Sequence, residues 1–189
     1  MKNLNNKDDK TKIQNWKRNI GILLIIIGVV MRLLPHPANF APISAIAMFG
    51  GTYLNKKYAL LIPLGALFLS DLYIGLYNIK LMVSVYGSFL IVGLMGLWLK
   101  KHKKFQNIIA VSLLSSVIFF LITNFAVWAF SPWYAKSWSG LMQCFYMALP
   151  FFRNTFFGDL FYVGVLFGLY EFVIYWVSKK ILVKSYNTI

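Results

Sequence analysis

Six apolar runs, at residues 20–34, 40–54, 58–77, 81–99, 105–130 and 158–177, alternate with short polar segments. An α-helix rises about 1.5 Å per residue, so roughly 20 apolar residues cross a hydrocarbon core of about 30 Å. The third to sixth runs reach that length. The first reaches it when extended back to Trp16, and the second is short and rich in small residues (Ala41, Ser44, Ala45, Ala47, Gly50, Gly51). The pattern predicts an all-α membrane protein of six transmembrane helices, one domain over residues 19–178, with basic tails at residues 1–18 and 179–189. The first tail reads as solvated and mostly disordered. Pro35-His36-Pro37 marks a rigid turn between the first two runs. Residues 131–157 are semi-polar and aromatic. Their middle, 140–152, is too short to span and reads as a re-entrant or interfacial segment before the last helix.

Composition strengthens this picture. The chain is 59% apolar and 13% charged, whereas soluble domains carry about a quarter charged residues. So few charges do not cover a water-facing surface, which nearly excludes a soluble globular enzyme. The net charge of +14 would suit a nucleic-acid binder, but the basic residues sit in clusters between apolar runs and read as membrane topology instead. Lys2, Lys7, Lys10, Lys12, Lys17 and Arg18, then Lys56 and Lys57, then Lys100, Lys101, Lys103 and Lys104, then Lys179, Lys180 and Lys184 all fall on one side of the six-span arrangement. Only Arg32, Lys80, Lys136 and Arg153 fall on the other. Lys and Arg are retained on the cytoplasmic side, so both termini are expected in the cytoplasm, with the chain in a bacterial inner membrane. Were residues 40–54 re-entrant, every later loop would change sides. A signal peptide is disfavoured, because no small-residue cleavage site follows the first run promptly and Arg32 interrupts its end. Cys144 is the single cysteine, which leaves no internal disulfide and no thiolate cluster.

Ionisable and amide side chains inside a membrane are costly, so their placement carries information. On six spans, Arg32, His36, Asn39, Asp71, Asn78, Thr123, Asn124, Arg153, Asn154, Thr155 and Asp159 all gather toward the outer face, and Glu171 lies deeper. Such a cluster under an aromatic lid describes a pocket open to the outside. The lid candidates are Trp128, Trp133, Tyr134, Trp138 and Tyr146, residue types that also form interfacial belts. Asp71 and Asp159 lack a long stem and must pair or stay protonated when buried. Pairing with Arg32 or Arg153 and contact with a ligand both answer that requirement. Ser112, Ser116, Phe120 and Asn124 recur every four residues, a polar helix face turned either to a ligand or to another helix. Gly164, Gly168 and Glu171 share a face, and Ala41-x-x-x-Ala45 has the same small-residue spacing. Both faces admit a close helix, from this chain or from a separate subunit.

Other chemistry is absent from the sequence. Residues 50–57, GGTYLNKK, lack the second Gly and the Ser/Thr after Lys that a phosphate loop needs. There is no HExxH, and no spacing suggests a Ser–His–Asp set. No cofactor, metal or catalytic residue is predicted.

Several segments act together as a signature: Arg32-Leu-Leu-Pro-His-Pro-Ala-Asn39-Phe-Ala-Pro-Ile-Ser-Ala45 through Gly51, Ser70-Asp71, Thr123-Asn124-Phe-Ala-Val-Trp128, and Cys144-Phe-Tyr146 through Asn154 to Gly158-Asp159. They resemble a bacterial integral-membrane family of unknown function described as transport proteins, over about Arg32 to Gly168. That family is similar to the substrate-binding S components of energy-coupling-factor transporters. The resemblance implies six helices, a ligand pocket near the outer face, an Ala-x-x-x-Ala face docking on a transmembrane coupling subunit, and ATPase subunits that supply energy. In many S components that motif lies on the first helix, whereas Ala41 and Ala45 lie on the second run. The expected function is capture of a small, vitamin-like nutrient. Arg32, Asn39, Asp71, Asn124, Arg153, Asn154 and Asp159 would supply polar contacts, and Trp128 and Trp138 apolar cover. Ala41, Ala45, Gly164 and Gly168 would dock the partner. Three other readings stand beside it: a proton-coupled carrier using Asp71 or Glu171, a membrane enzyme with Asp71 and Asp159 as acid and base, and a scaffold.

Overall fold

The computed structural model describes residues 7–54 and 56–186, with side-chain environments for residues 14–54 and 56–176. Residues 1–6 and the side chains of Lys179, Lys180 and Lys184 lie outside that description. Every regular element among the described residues is helical: α1 (Lys7–Leu33), α2 (Ile43–Phe49), a π-helical continuation (Gly50–Leu54), α3 (Lys56–Ile74), α4 (Ile79–Leu99), α5 (Phe105–Phe130) and α6 (Trp138–Tyr186). Four of them have the length and apolarity to cross a membrane: α3, α4, α5 and the Trp138–Trp176 part of α6. The apolar middle of α1 is bounded by Lys17, Arg18 and Arg32. The short apolar helix Ile43–Leu54 falls below spanning length. The chain is therefore an all-α membrane protein with four candidate spans.

The short element is the centre of the bundle. Every residue of α2 is buried, as are Gly50, Gly51, Thr52 and Leu54 of its continuation. Its small residues are explained by backbones packed against it. A Cβ on Gly51 would sit 2.6 Å from the Gly93 carbonyl oxygen, and one on Gly96 would sit 2.5 Å from that of Met48. On the next face of α4, a Cβ on Gly93 would lie 2.5 Å from the Ala59 oxygen of α3. Small residues permit this contact, which larger ones would block. The Thr52 hydroxyl is shared between the Met48 carbonyl at 2.8 Å and the Gly96 carbonyl of α4 at 3.1 Å. Rings of Phe49 and Tyr53 pack edge-on or tilted against Phe167 and Tyr170 of α6, with centroids 4.2–5.7 Å apart.

Two expectations are corrected here. Residues 7–18 are helical rather than a disordered tail. No Gly or Pro stands between Lys7 and Ile20, so the helix continues without a breaker. Residues 140–152 form no separate re-entrant or interfacial segment; they are the first part of α6, a single 49-residue helix. Taken alone the segment is too short to span, but the helix continues through Arg153-Asn154-Thr155 into the last apolar run. Thr155 Oγ1 donates to the Phe151 carbonyl at 3.0 Å, and Asn154 Nδ2 to the Ala38 carbonyl at 3.1 Å. The segment lies along α5, with Phe120 against Phe145 and Phe152 at 5.4 and 4.8 Å.

Lys17, Lys100 and Lys103 meet at one end. Lys17 and Lys100 both donate to the Leu54 carbonyl, each at 3.5 Å. Lys103 Nζ lies 2.5 Å from Glu171 Oε1 and 4.9 Å from the Tyr53 ring centroid, and the Tyr53 hydroxyl donates to the same carboxylate oxygen at 2.5 Å. Lys103 and Glu171 are 41% and 46% exposed, so water screens the pair. Glu171→Gln is expected to lower stability by less than about 1 kcal/mol, by an amount that shrinks with added salt; melting curves in detergent at low and high salt check this.

Candidate functional site

The opposite end holds Arg32, Asn39, Asp71 and Asp159. Arg32 closes the last turn of α1, and its Nη2 lies 2.5 Å from Asp71 Oδ1 of α3. Asp71 is 1% exposed and also accepts from the Tyr86 hydroxyl of α4 at 2.9 Å. A short carboxylate side chain at that depth requires a cation and hydrogen bonds, and it has both.

Between α1 and α2 the chain makes a turn closed by Phe40 N–H on the Pro37 carbonyl at 3.0 Å. Asn39 occupies its third position with φ at 64°. Asn tolerates this left-handed conformation better than other non-glycine residues. The turn is fastened to α6 by the Asn154–Ala38 bond and by Phe40, whose ring lies 5.4 Å from that of Tyr162 and contacts Gly158.

Beneath this turn is a cavity of about 260 Å³. All six helices or their flanking turns line it: Arg32 of α1, Asn39 of the turn, Ile43 and Ser44 of α2, Ile74 and Tyr77 at the end of α3, Val85 and Phe89 of α4, Phe119 of α5, and Thr155 and Asp159 of α6, with His36 and Ala41. Asp159 is 3% exposed. It accepts from the Ser116 hydroxyl at 2.7 Å and from the Ser44 hydroxyl. Burial first, then the nearby Asp71 charge, raise the Tyr77 phenol above its usual range, with Arg32 pulling the other way; Tyr77 stays a neutral hydroxyl at the cavity wall.

Arg32, Asn39 and Asp159 therefore come together as the sequence pattern predicts, with Asp71 directly behind Arg32. The other predicted contacts are placed differently. Asn154 holds the turn rather than the cavity. Asn124 Nδ2 donates to the Phe120 carbonyl of its own helix at 2.8 Å. Trp128 Nε1 donates to the Ala135 carbonyl at 2.9 Å, and Lys136 Nζ donates to the Trp128 carbonyl; these bonds organise the α5–α6 connection. Trp138 is 74% exposed at the start of α6, and Arg153 is exposed. None of Trp128, Trp133, Tyr134, Trp138 and Tyr146 lines the cavity, so the expected aromatic lid is corrected: the walls are Tyr77, Phe89 and Phe119. Sequence reasoning missed Tyr86 and Ser44, whose hydroxyls reach Asp71 and Asp159. A Tyr in an apolar helix and a Ser among alanines carry no distinctive spacing.

The docking expectation divides. Ala45 is fully buried in the core and Ala41 lines the cavity, so the Ala-x-x-x-Ala face is occupied by the chain's own helices, a correction that follows from α2 being central. Gly164 and Gly168 have open space where a Cβ would be. They border a groove of about 380 Å³ with Lys103, Phe105, Ile108 and Phe167. On α5, Ser112 and Ser116 are buried as their spacing predicts.

Fold and site together define a helical membrane protein with a cavity, part polar and part aromatic, at the end of its bundle opposite Lys17, Lys100 and Lys103. The chain belongs to DUF6580, a family of unknown function, whose model matches residues 12–181. No curated protein and no solved structure is similar enough to match it.

Proposed function

We propose that this protein is the substrate-binding membrane subunit of a transporter, similar in role to the S components of energy-coupling-factor systems. It takes a small, vitamin-like nutrient from the outer face into the cavity beneath the Pro37–Phe40 turn and releases it inward when partner subunits drive a reorientation. In this reading the chain crosses the bacterial inner membrane six times, with α1 and the central α2 segment counted among the crossings. The basic end, with both termini, is cytoplasmic, following the retention of Lys and Arg on that side. A transmembrane coupling subunit docks along the open Gly164–Gly168 groove, and ATPase subunits supply the energy.

The observation that carries the reading is the cavity itself, to which all six helices or their flanking turns contribute. At about 260 Å³ it lies near the small end of ligand sites, which begin at about 300 Å³. Arg32, Asn39 and Asp159, from α1, the turn and α6, all line it. The test is purification of the full chain from native membranes, followed by mass spectrometry of bound metabolites and co-purified subunits. A reproducible metabolite, with an ATPase-containing complex, is the expected result. Repeated preparations with neither would remove the proposal.

A further inference from the structure

We propose that the cavity accepts a small organic cation, a protonated or quaternary amine, whose charge is met by Asp159. This rests on the capture reading above and names its substrate class. The argument begins with charge. The described residues form two ion pairs, Arg32–Asp71 at the cavity and Lys103–Glu171 at the far end. The Arg32 charge is thus already answered by a carboxylate that is 1% exposed. Asp159, 3% exposed in α6, has only the hydroxyls of Ser116 and Ser44. Two neutral donors orient a carboxylate without supplying an opposite charge, so the group either holds a proton or meets a cation. A buried charge in a membrane protein calls for a counter-charge, and the space beside this one is a cavity.

The remaining walls suit the same guest. Tyr77, Phe89 and Phe119 line the hollow, and aromatic faces attract ammonium groups while covering their alkyl substituents. The His36 Nδ1 lies 2.8 Å from the Pro37 carbonyl, a pure acceptor. That ring nitrogen therefore carries the hydrogen, and in the neutral ring Nε2 keeps its lone pair. The Thr155 hydroxyl spends its hydrogen on the Phe151 carbonyl, which leaves its oxygen as an acceptor. An anion entering here would meet the Asp159 carboxyl and an Arg32 whose Nη2 is held by Asp71, with its buried Nε left unpartnered.

The experiment is calorimetric titration of the detergent-purified full chain with choline and tetramethylammonium, and with two controls, neohexanol (the uncharged carbon isostere of choline) and acetate. The cations are expected to bind, with neohexanol and acetate at least about tenfold weaker. Asp159→Asn is expected to weaken the cations by about 10- to 100-fold, through loss of the Coulomb attraction between a buried carboxylate and the quaternary nitrogen, and to leave neohexanol unchanged; Asp159→Glu is expected to keep the preference for cations. Cations that bind no better than neohexanol overturn the inference on the native chain alone, whether or not the Asn variant folds. A folded Asp159→Asn protein that still prefers cations overturns it as well. A neutral or anionic metabolite co-purifying in this cavity would remove the cation class and leave the capture reading intact, whereas no metabolite and no binding of any probe would remove both.

Discussion

Gly51→Ala is expected to destabilise the protein by more than about 3 kcal/mol, beyond the usual range for an overpacked core. The added methyl would stand 2.6 Å from the Gly93 oxygen and 2.7 Å from the backbone of Gly96 and Leu97. These are main-chain atoms of α4, which have no rotamer to change. Relief demands that the central α2 segment and α4 move apart, and that would open the packing of Met48 and break the Thr52–Gly96 bond. Gly87→Ala on the same helix is the control, because nothing lies within 4 Å of its added carbon. It is expected to be neutral or to stabilise by up to about 1 kcal/mol through helix propensity. Thermal melting of both variants in detergent, followed by circular dichroism and monodispersity, checks the contrast. If Gly51→Ala melts like Gly87→Ala, the backbone contact does not exist.

Asp71→Ala is the second large effect, with an expected loss of about 3–5 kcal/mol, typical of stranding one member of a buried ion pair. Arg32 is 20% exposed, and Asp71 carries the only carboxylate that it meets among the described residues. The variant also leaves the Tyr86 hydroxyl without its acceptor. Pairing the substitution with Arg32→Met should restore most of the loss, because two apolar side chains need no counter-charge. The double-mutant cycle therefore separates electrostatic stranding from simple cavity formation. A double variant as unstable as Asp71→Ala alone would show that the pair contributes packing and little else.

Much of this site was legible before the fold. Arg32, Asp71 and Asp159 are conspicuous because hydrocarbon does not tolerate them singly, and their alternation with the basic clusters placed them at one end. The Arg32–Asp71 pair was one of two solutions that the residue types allowed. The lid was misread because tryptophans near a helix end look alike whether they cover a cavity or brace a loop. Trp128 braces one, through a carbonyl seven residues onward. Residues 140–152 were misread as a separate segment because their length was taken alone; the sequence does not reveal that they continue into the last run, with Asn154 fastened to Ala38, distant in sequence.

The sequence by itself determined that the chain is a helical membrane protein, because transfer of a residue into an apolar medium is close to an additive, local property and runs of it accumulate along the chain. It likewise determined that Ala41, Ala45, Gly50 and Gly51 allow close approach, without saying by what. Only the tertiary structure decided that Gly51 is approached by α4 and Gly50 by α3 of the same chain, and that Asp71 has a cation while Asp159 has hydroxyls alone. Those outcomes depend on which atoms meet across tens of residues. Steric exclusion and Coulomb attraction act over distances in space that the order of residues does not encode.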